Sequence, residues 1–426
     1  MSVQRLLALV VAAGTLTAGC TAASSASAVR IHLAVSEPVS LYDVPLNIRV
    51  SGLHQGEQVT LRLESSDREW SAHATFDARH SVLDLDAVAP VSGSYRGVHG
   101  MGLFEALAPK HQPAGFQPGN PAIFTLTASV PGRSAVTVRL TRALTGPGVK
   151  CTQLSVSSHG FYGLYCAPAP HAGQRPPVLV FGGSEGGLST TTASQLLASR
   201  GFPTLALAYF DEPGLPDALD RIPLEYFAHA ASWLDAQPGA NAQYLTVWGD
   251  SRGSEAALLL GAYFPRLVHA VIAGSPSSVT NGAVSLTHRV PHTDPAWTLH
   301  GKPLPVASPY GDPSSLANPA AVIPVQKIEG PVLLLVGADD QLWPSPAYAQ
   351  AIMSRLDQGH DRYPHQDLVF PDAGHAVGGA FPYDVGSVTY TTPTATLQLG
   401  GTSFANSVAE TQAWHDILTF LGRLGR

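Results

Sequence analysis

The sequence predicts a doubly wound α/β sheet over residues 146–426, preceded by a smaller Ig-like β-sandwich over 30–145. Three observations carry this expectation. After Thr145-Gly-Pro-Gly148, short apolar runs without alternation recur between helical stretches, as strands covered on both faces require. Before that point apolar and polar residues alternate, the period of strands with one buried face. At Gly249-Asp-Ser251-Arg-Gly253 an apolar run passes straight into good helix formers, so a strand turns directly into a helix. At 426 residues the chain is also long for one domain, and two are expected.

Residues 1–20 read as a signal peptide. Arg5 precedes an apolar run from Leu6 to Ala13, too short to span a bilayer. Cys20 follows small residues in a lipobox-like context, although Thr17 stands where Leu is usual and Leu16 is one residue early. Cys20 is therefore a lipidation candidate, and membrane attachment through it is expected. Simple cleavage after Ala26-Ser-Ala28 is the alternative. Export would let Cys151 and Cys166, which bracket an aromatic-rich, hairpin-like segment, form a disulfide. Two unrelated buried thiols are the other reading.

From Ile31 to about Leu144 the strands are Leu46–Val50, Val59–Leu63, Ala122–Thr127 and Ala135–Leu140, with turns at His54-Gln-Gly56-Glu and Pro131-Gly132. About seven short strands at this spacing predict the sandwich, whose expected role is to cover or shape part of the active site. The sheet strands that follow are Pro177–Phe181, Thr204–Ala208, Tyr244–Trp248, Ala270–Ala273, Pro331–Val336 and Leu368–Phe370, with a helix over Leu224–Leu234. Chemistry in such sheets gathers at the carboxyl ends of the strands.

Three strand ends carry reactive types. Ser251 follows one, Gly337-Ala-Asp339-Asp340 another, and Pro371-Asp-Ala-Gly374-His375 the last. Serine, acid, histidine is the chain order of α/β-hydrolases. A serine hydroxyl barely ionises at neutral pH, so a neutral imidazole must take its proton and a carboxylate must orient that imidazole. Ser251 is the nucleophile expected, His375 the base, and Asp340 the acid, with Asp339 as the alternative that would otherwise cap the turn. A second G-x-S-x-G, Gly182-Gly-Ser184-Glu-Gly186, is followed by glycines and threonines that suit a loop. That loop should supply half of an oxyanion hole through the backbone N–H of Gly183 or Ser184, with the N–H of Arg252 as the other half. It lacks the Gly-Lys-Ser/Thr ending of a phosphate loop, and Glu185 would repel phosphate.

Residues 280–325 form a proline-rich insertion read as a cap over the pocket, with surface decoration as the alternative. Residues 378–401 read as a loop, and a final amphipathic helix runs from about Ser407 to Leu424 with Trp414, Ile417, Leu418 and Leu421 on one stripe. The net charge is −7 and the 24 Lys and Arg are scattered without a basic run, which argues against a nucleic-acid partner. No metal-ligand spacing occurs, and no cofactor is expected.

The chain resembles the acyl-CoA thioesterases related to bile acid-CoA:amino acid N-acyltransferase. In the first domain the resemblance rests on Glu37-Pro-Val-Ser-Leu41-Tyr-Asp43, Arg49-Val-Ser-Gly-Leu53, Gly93-Ser-Tyr95 and Gly100-Met-Gly-Leu103. In the second it rests on Leu207-Ala-Tyr-Phe210, Ile222-Pro-Leu-Glu-Tyr-Phe227, Ile323-Pro-Val325, Asp339-Asp-Gln-Leu-Trp-Pro344-Ser and Ala373-Gly-His375. It implies a Ser or Cys, Asp, His triad on Ser251, Asp340 and His375. The amino-acid-conjugating branch uses cysteine, so the serine here favours transfer of the acyl group to water.

The function expected is thus cleavage of an acyl thioester or ester through an acyl-enzyme, with a small-molecule acyl substrate. Export, away from cytosolic acyl-CoA, leaves a carboxylesterase acting on non-CoA esters as the alternative. More distant readings are a peptidase of dienelactone-hydrolase-like ancestry and a catalytically silent surface lipoprotein that binds an apolar ligand.

Overall fold

The computed structural model describes residues 30–111, 118–287, 290–307, 319–359, 362–392 and 396–424. The expected signal peptide and Cys20 lie outside them.

Among the described residues, ten strands make two sheets between His32 and Ala143. The smaller sheet pairs His32–Val35 and Val82–Asp84 on either side of Ile48–Ser51. The larger runs Val39–Leu41, Val136–Ala143, Ala122–Ser129, Gln58–Ser65, Trp70–Asp77, Ser92–Gly93, with Ala108–Pro109 also against Trp70–Asp77. Burial alternates along Gln58–Ser65, so Val59, Leu61 and Leu63 point inward and pack in one core with Ile48, Val50 and Leu83 of the other sheet. The count exceeds the seven expected because edge strands of two or three residues carry no periodic signal.

The second part is built on eight strands: β1 (Lys150–Leu154), β2 (Tyr162–Ala167), β3 (Val178–Phe181), β4 (Thr204–Ala208), β5 (Thr246–Asp250), β6 (Ala270–Gly274), β7 (Val332–Gly337) and β8 (Gln366–Phe370). Their order is β1-β2-β4-β3-β5-β6-β7-β8; β1 and β2 are antiparallel additions, and the rest run parallel. This is the α/β-hydrolase architecture. The hairpin bracketed by Cys151 and Cys166 is therefore the edge of the main sheet. Those two cysteines face each other across β1 and β2 and are joined as a disulfide.

Helices cover both faces. On one, α2 (Leu224–Asp235), α3 (Arg252–Tyr263) and α4 (Ser345–Gln358) pack on Leu179, Val247, Val271 and Leu334. On the other, α1 (Thr191–Ser199) and α5 (Ser403–Arg423) pack on Val178, Val180, Trp248 and Ile272. Along β3 to β7 side chains alternate between the faces and both are buried, which is why these strands read as unbroken apolar runs.

The sandwich core is continuous with the α1/α5 face of the sheet. The buried Asp43 carboxylate accepts two hydrogen bonds of 2.8 Å from Arg200, at the end of α1, and one of 3.1 Å from Trp414 Nε1 on α5. A fully hydrogen-bonded pair of this kind fixes orientation as well as contact. Elsewhere, the expected 378–401 loop contains a hairpin, Thr389–Thr391 with Thr396–Gln398. Part of the 280–325 insertion joins a small sheet of Ile222–Pro223, Trp297–Leu299 and Lys302–Pro303.

Candidate active site

The chain steps from β3 to β4 on one side, then back past β3 to β5 on the other. That reversal opens a crevice at the carboxyl ends of β3 and β5. The loop after β3 and the turn after β5 meet there.

Ser251 occupies the turn with φ 52° and ψ −119°, a conformation costing on the order of 1–3 kcal/mol for a residue with a side chain. Its N–H is held by Gly274 O at 3.0 Å. Such a turn needs bare neighbours: a Cβ on Gly249 would lie 2.1 Å from Gly253 O, and one on Gly253 would lie 2.3 Å from Gly182 O. The two flanking glycines therefore let the turn close and let the β3 loop approach it.

The Ser251 hydroxyl donates to His375 Nε2 at 2.9 Å, and His375 Nδ1–H donates to Asp340 Oδ2 at 2.8 Å. All three sequence candidates thus form one hydrogen-bonded chain. Asp340 is further held by the N–H groups of Leu342 (2.9 Å) and Trp343 (3.2 Å) on Oδ1 and by the Ser345 hydroxyl on Oδ2. Asp339, the rival acid, faces away and accepts instead from Gly401 N–H at 2.9 Å. Ser184, the rival nucleophile, is buried and its hydroxyl has no hydrogen-bond partner.

His375 is positioned from three sides. Its N–H donates to Leu399 O at 2.7 Å, its carbonyl accepts from Ser275 Oγ at 2.6 Å, and the Trp343 ring meets its imidazole edge-on at 5.5 Å. Asn406, buried on α5, accepts from Gly374 N–H at 2.8 Å and donates to Ser387 O and Gly400 O. Burial alone would lower the imidazole pKa. The Asp340 charge and hydrogen bond, aided by Asp250 and Glu185, outweigh it and hold His375 above its ordinary value.

The backbone donors are narrower than the sequence suggested. Gly183 N–H is directed at the Glu185 carboxylate, 2.9 and 3.0 Å away. Among the described residues the N–H groups of Ser184 and Arg252 have no acceptor, which leaves these two as the candidate oxyanion donors. Tyr209 braces the loop from below, its hydroxyl lying 2.9 Å from Gly182 O and 2.8 Å from Gly183 O.

The Arg252 side chain turns away from the crevice and is fully buried. It pairs with Glu255 at 2.9 Å and donates to Gly282 O (2.8 Å) and Asn281 O (3.0 Å). Glu255 also accepts from Asn281 Nδ2 (2.9 Å) and Trp297 Nε1 (2.8 Å). This network ties α3 to the start of the insertion. The motif reading stopped at the backbone of Arg252 and did not find it; the i, i+3 Arg-Glu pair was the available signal.

A cavity of about 210 Å³ opens at Ser251 and His375. Leu342, Tyr390, Leu397 and Leu399 form much of its apolar wall, with Leu286 the one contribution from the insertion among the described residues. Among those residues the pocket wall draws more on the paired strands Thr389–Thr391 and Thr396–Gln398 than on the expected cap.

Residues 222–424 match the family model described as BAAT / Acyl-CoA thioester hydrolase C terminal, and residues 43–156 that of the Acyl-CoA thioester hydrolase/BAAT N-terminal region. Acyl-coenzyme A amino acid N-acyltransferase 2 of Rattus norvegicus is 30% identical over 417 residues, 92% of this chain and 97% of that one. Acyl-coenzyme A thioesterase 6 of Mus musculus is 31% identical over 414 residues, covering 89% and 93%. A putative dienelactone hydrolase from Klebsiella pneumoniae is similar in structure, with 17% identity and a TM-score of 0.43 over 65% of this chain and 99% of that one.

Proposed function

With this chain a member of the acyl-CoA thioester hydrolase/BAAT family and a hydrolase, we propose that it cleaves an acyl thioester through an acyl-enzyme on Ser251. Ser251 Oγ attacks the carbonyl carbon while His375 Nε2 takes the hydroxyl proton. The negative charge that develops on the carbonyl oxygen is met by the N–H groups of Ser184 and Arg252. Collapse expels the thiolate, which takes the proton from His375. Water then attacks the acyl-serine, His375 accepts its proton and returns it to Ser251, and the carboxylic acid leaves. Asp340 stays ionised and fixes the tautomer throughout. The observation that carries this reading is the Ser251–His375–Asp340 chain at the sheet's crossover point. Rapid mixing with an activated acyl thioester or ester tests it: a thiol or alcohol burst equal to the enzyme concentration supports an acyl-enzyme, and its absence when deacylation is rate-limiting sinks the idea.

The base must be neutral to accept a proton, so kcat/KM should fall as pH drops through the His375 pKa. Because that pKa is held above the ordinary imidazole value, the acid limb is expected above about pH 6.5. Asp340→Asn removes the charge that raises it, so the limb should move to lower pH while kcat falls about 10⁴-fold. A wild-type limb below pH 6, or an unmoved limb in the variant, contradicts the assignment.

A second reading, a substrate without CoA, is favoured by charge. The ionisable acids lining the Ser251 cavity are Glu185 and Asp250, and no described lining residue is Lys or Arg. The phosphates of a CoA leaving group would find no Lys or Arg among these residues to pair with. An acyl-CoA and the N-acetylcysteamine thioester of the same acid break the same bond but differ in charge. The neutral thioester should have the higher kcat/KM, by roughly tenfold for 1.4 kcal/mol; the reverse order assigns CoA.

Export belongs to this reading, supported by the Arg5–Cys20 leader pattern and a disulfide suited to an oxidising compartment. Radiolabelled fatty acid should enter the wild-type chain and not Cys20→Ala; labelling of neither, with an N-terminus after Ala28, assigns simple secretion.

A further inference from the structure

Behind the crevice lies a second chamber of about 240 Å³, between the β3 loop, α1, the segment after His375 and α5. It shares Glu185, Asp250 and Ala376 with the cavity at Ser251. Two further carboxyl groups line it, Asp384 and Glu410, and none of the lining residues is Lys, Arg or His.

These acids are not equally satisfied. Glu185 is held by Gly183 N–H and Ser189 Oγ, and Asp384 accepts from Val385 N–H at 2.7 Å. Glu410, only 5% exposed, lines the chamber and makes no side-chain hydrogen bond among the described residues, and Asp250 Oδ1 is buried without a partner. Burial pushes Asp250 and Asp384 up to about 7, and burial with the charges of Asp384 and Asp250 raises Glu410 well beyond the carboxylate range. Other titratable groups face them: His375, Asp340 and Tyr209 beside Asp250, Tyr209 and Tyr390 beside Glu185, and Tyr42 beside Asp384. Ionised carboxylates in such a place are costly, so these groups hold protons unless a cation takes their place.

The geometry selects the kind of cation. Among the described residues no three ligand types converge closely enough to hold a metal ion. The chamber is also far larger than an ion, and the rings of Trp248 and Phe381 are part of its wall. Carboxylates with aromatic walls are the chemistry that receives alkylated ammonium groups.

We propose that this chamber is a binding site for an organic ammonium group beside the catalytic crevice. It lies outside the thioester reading given above and does not depend on it. Binding at neutral pH replaces protons held by the buried carboxyl groups, and those protons pass to the buffer.

The test is calorimetric titration of the full chain with choline and with its uncharged isostere 3,3-dimethylbutan-1-ol. Choline should bind at least tenfold more tightly than the alcohol, with an enthalpy at pH 7 that varies with the ionisation heat of the buffer. Glu410→Gln should weaken choline at least tenfold, and Asp384→Asn likewise, while both variants keep their hydrolysis of a neutral ester, which confirms that they fold. Equal affinity for choline and the alcohol, no choline binding at millimolar concentration, or unchanged affinity in both variants overturns the proposal. Faster turnover of a choline ester than of the matching 3,3-dimethylbutyl ester would mark the ammonium as part of the substrate. An effect of free choline on neutral-ester hydrolysis would mark it as an effector. Because the primary readout is binding, it stands or falls separately from the role of Ser251.

Discussion

Replacement of Ser251 by alanine is expected to lower kcat by roughly 10⁴- to 10⁶-fold while leaving the protein folded. The hydroxyl is the group that would bond to the acyl carbon, and no other buried hydroxyl lies within hydrogen-bond distance of His375 Nε2 among the described residues. Ser184 is, among the described residues, the one other serine lining the crevice, and its hydroxyl has no base. The backbone at 251 is fixed by Gly274 O and by the flanking glycines, so the alanine variant keeps the turn and its Cβ. Its Tm should therefore change little. Residual rate above the uncatalysed reaction is expected, since the Ser184 and Arg252 N–H groups remain. Retention of more than a tenth of wild-type kcat would remove Ser251 from the mechanism.

The parts of this site that were legible in the sequence are those with a rigid local grammar. Gly249 and Gly253 mark the turn because any side chain there would strike backbone within 2.5 Å. Asp340 follows an unbroken apolar run, which a doubly covered strand produces, and His375 follows the shorter apolar end, Leu368–Phe370, of an edge strand. The strands at Thr204–Ala208 and Val332–Gly337 were readable for the same reason. What was not legible depends on side-chain contacts that no backbone period announces. Ser345 reaches Asp340 from the first turn of α4, and Asn406 reaches the Gly374 backbone from α5, 32 residues on. Glu185 takes the N–H of Gly183 through a local side-chain bond that a glycine-rich string does not announce. The edge strand Lys150–Leu154 and its neighbour Tyr162–Ala167 are partly exposed and mix polar with aromatic residues, so they lack the signature of the buried strands. The 389–398 hairpin, rich in threonine and short, gave no period long enough to count.

Glu255→Ala should be the most damaging change to stability, costing about 3–5 kcal/mol. It leaves the Arg252 guanidinium, wholly buried, without its counter-charge and removes acceptors for Asn281 and Trp297. At about 1–2 °C per kcal/mol for a chain of 426 residues, Tm should fall by roughly 3–10 °C. Activity in the folded fraction should fall too, because Asn281 and Gly282 lead into the segment that places Leu286 at the pocket. The double variant Arg252→Met/Glu255→Leu separates charge from packing. With no unpaired ion left, it should be more stable than Glu255→Ala alone. If instead the single variant melts within about 2 °C of wild type, the network does not hold the insertion to α3.

The central claim, that Ser251 is the one activated hydroxyl, is tested most directly by covalent labelling with a fluorophosphonate followed by peptide mass spectrometry. The account predicts a single adduct on the peptide that contains Ser251. It further predicts loss of labelling in Ser251→Ala and in His375→Ala. An adduct on the peptide that contains Ser184, or undiminished labelling of Ser251→Ala, would contradict it.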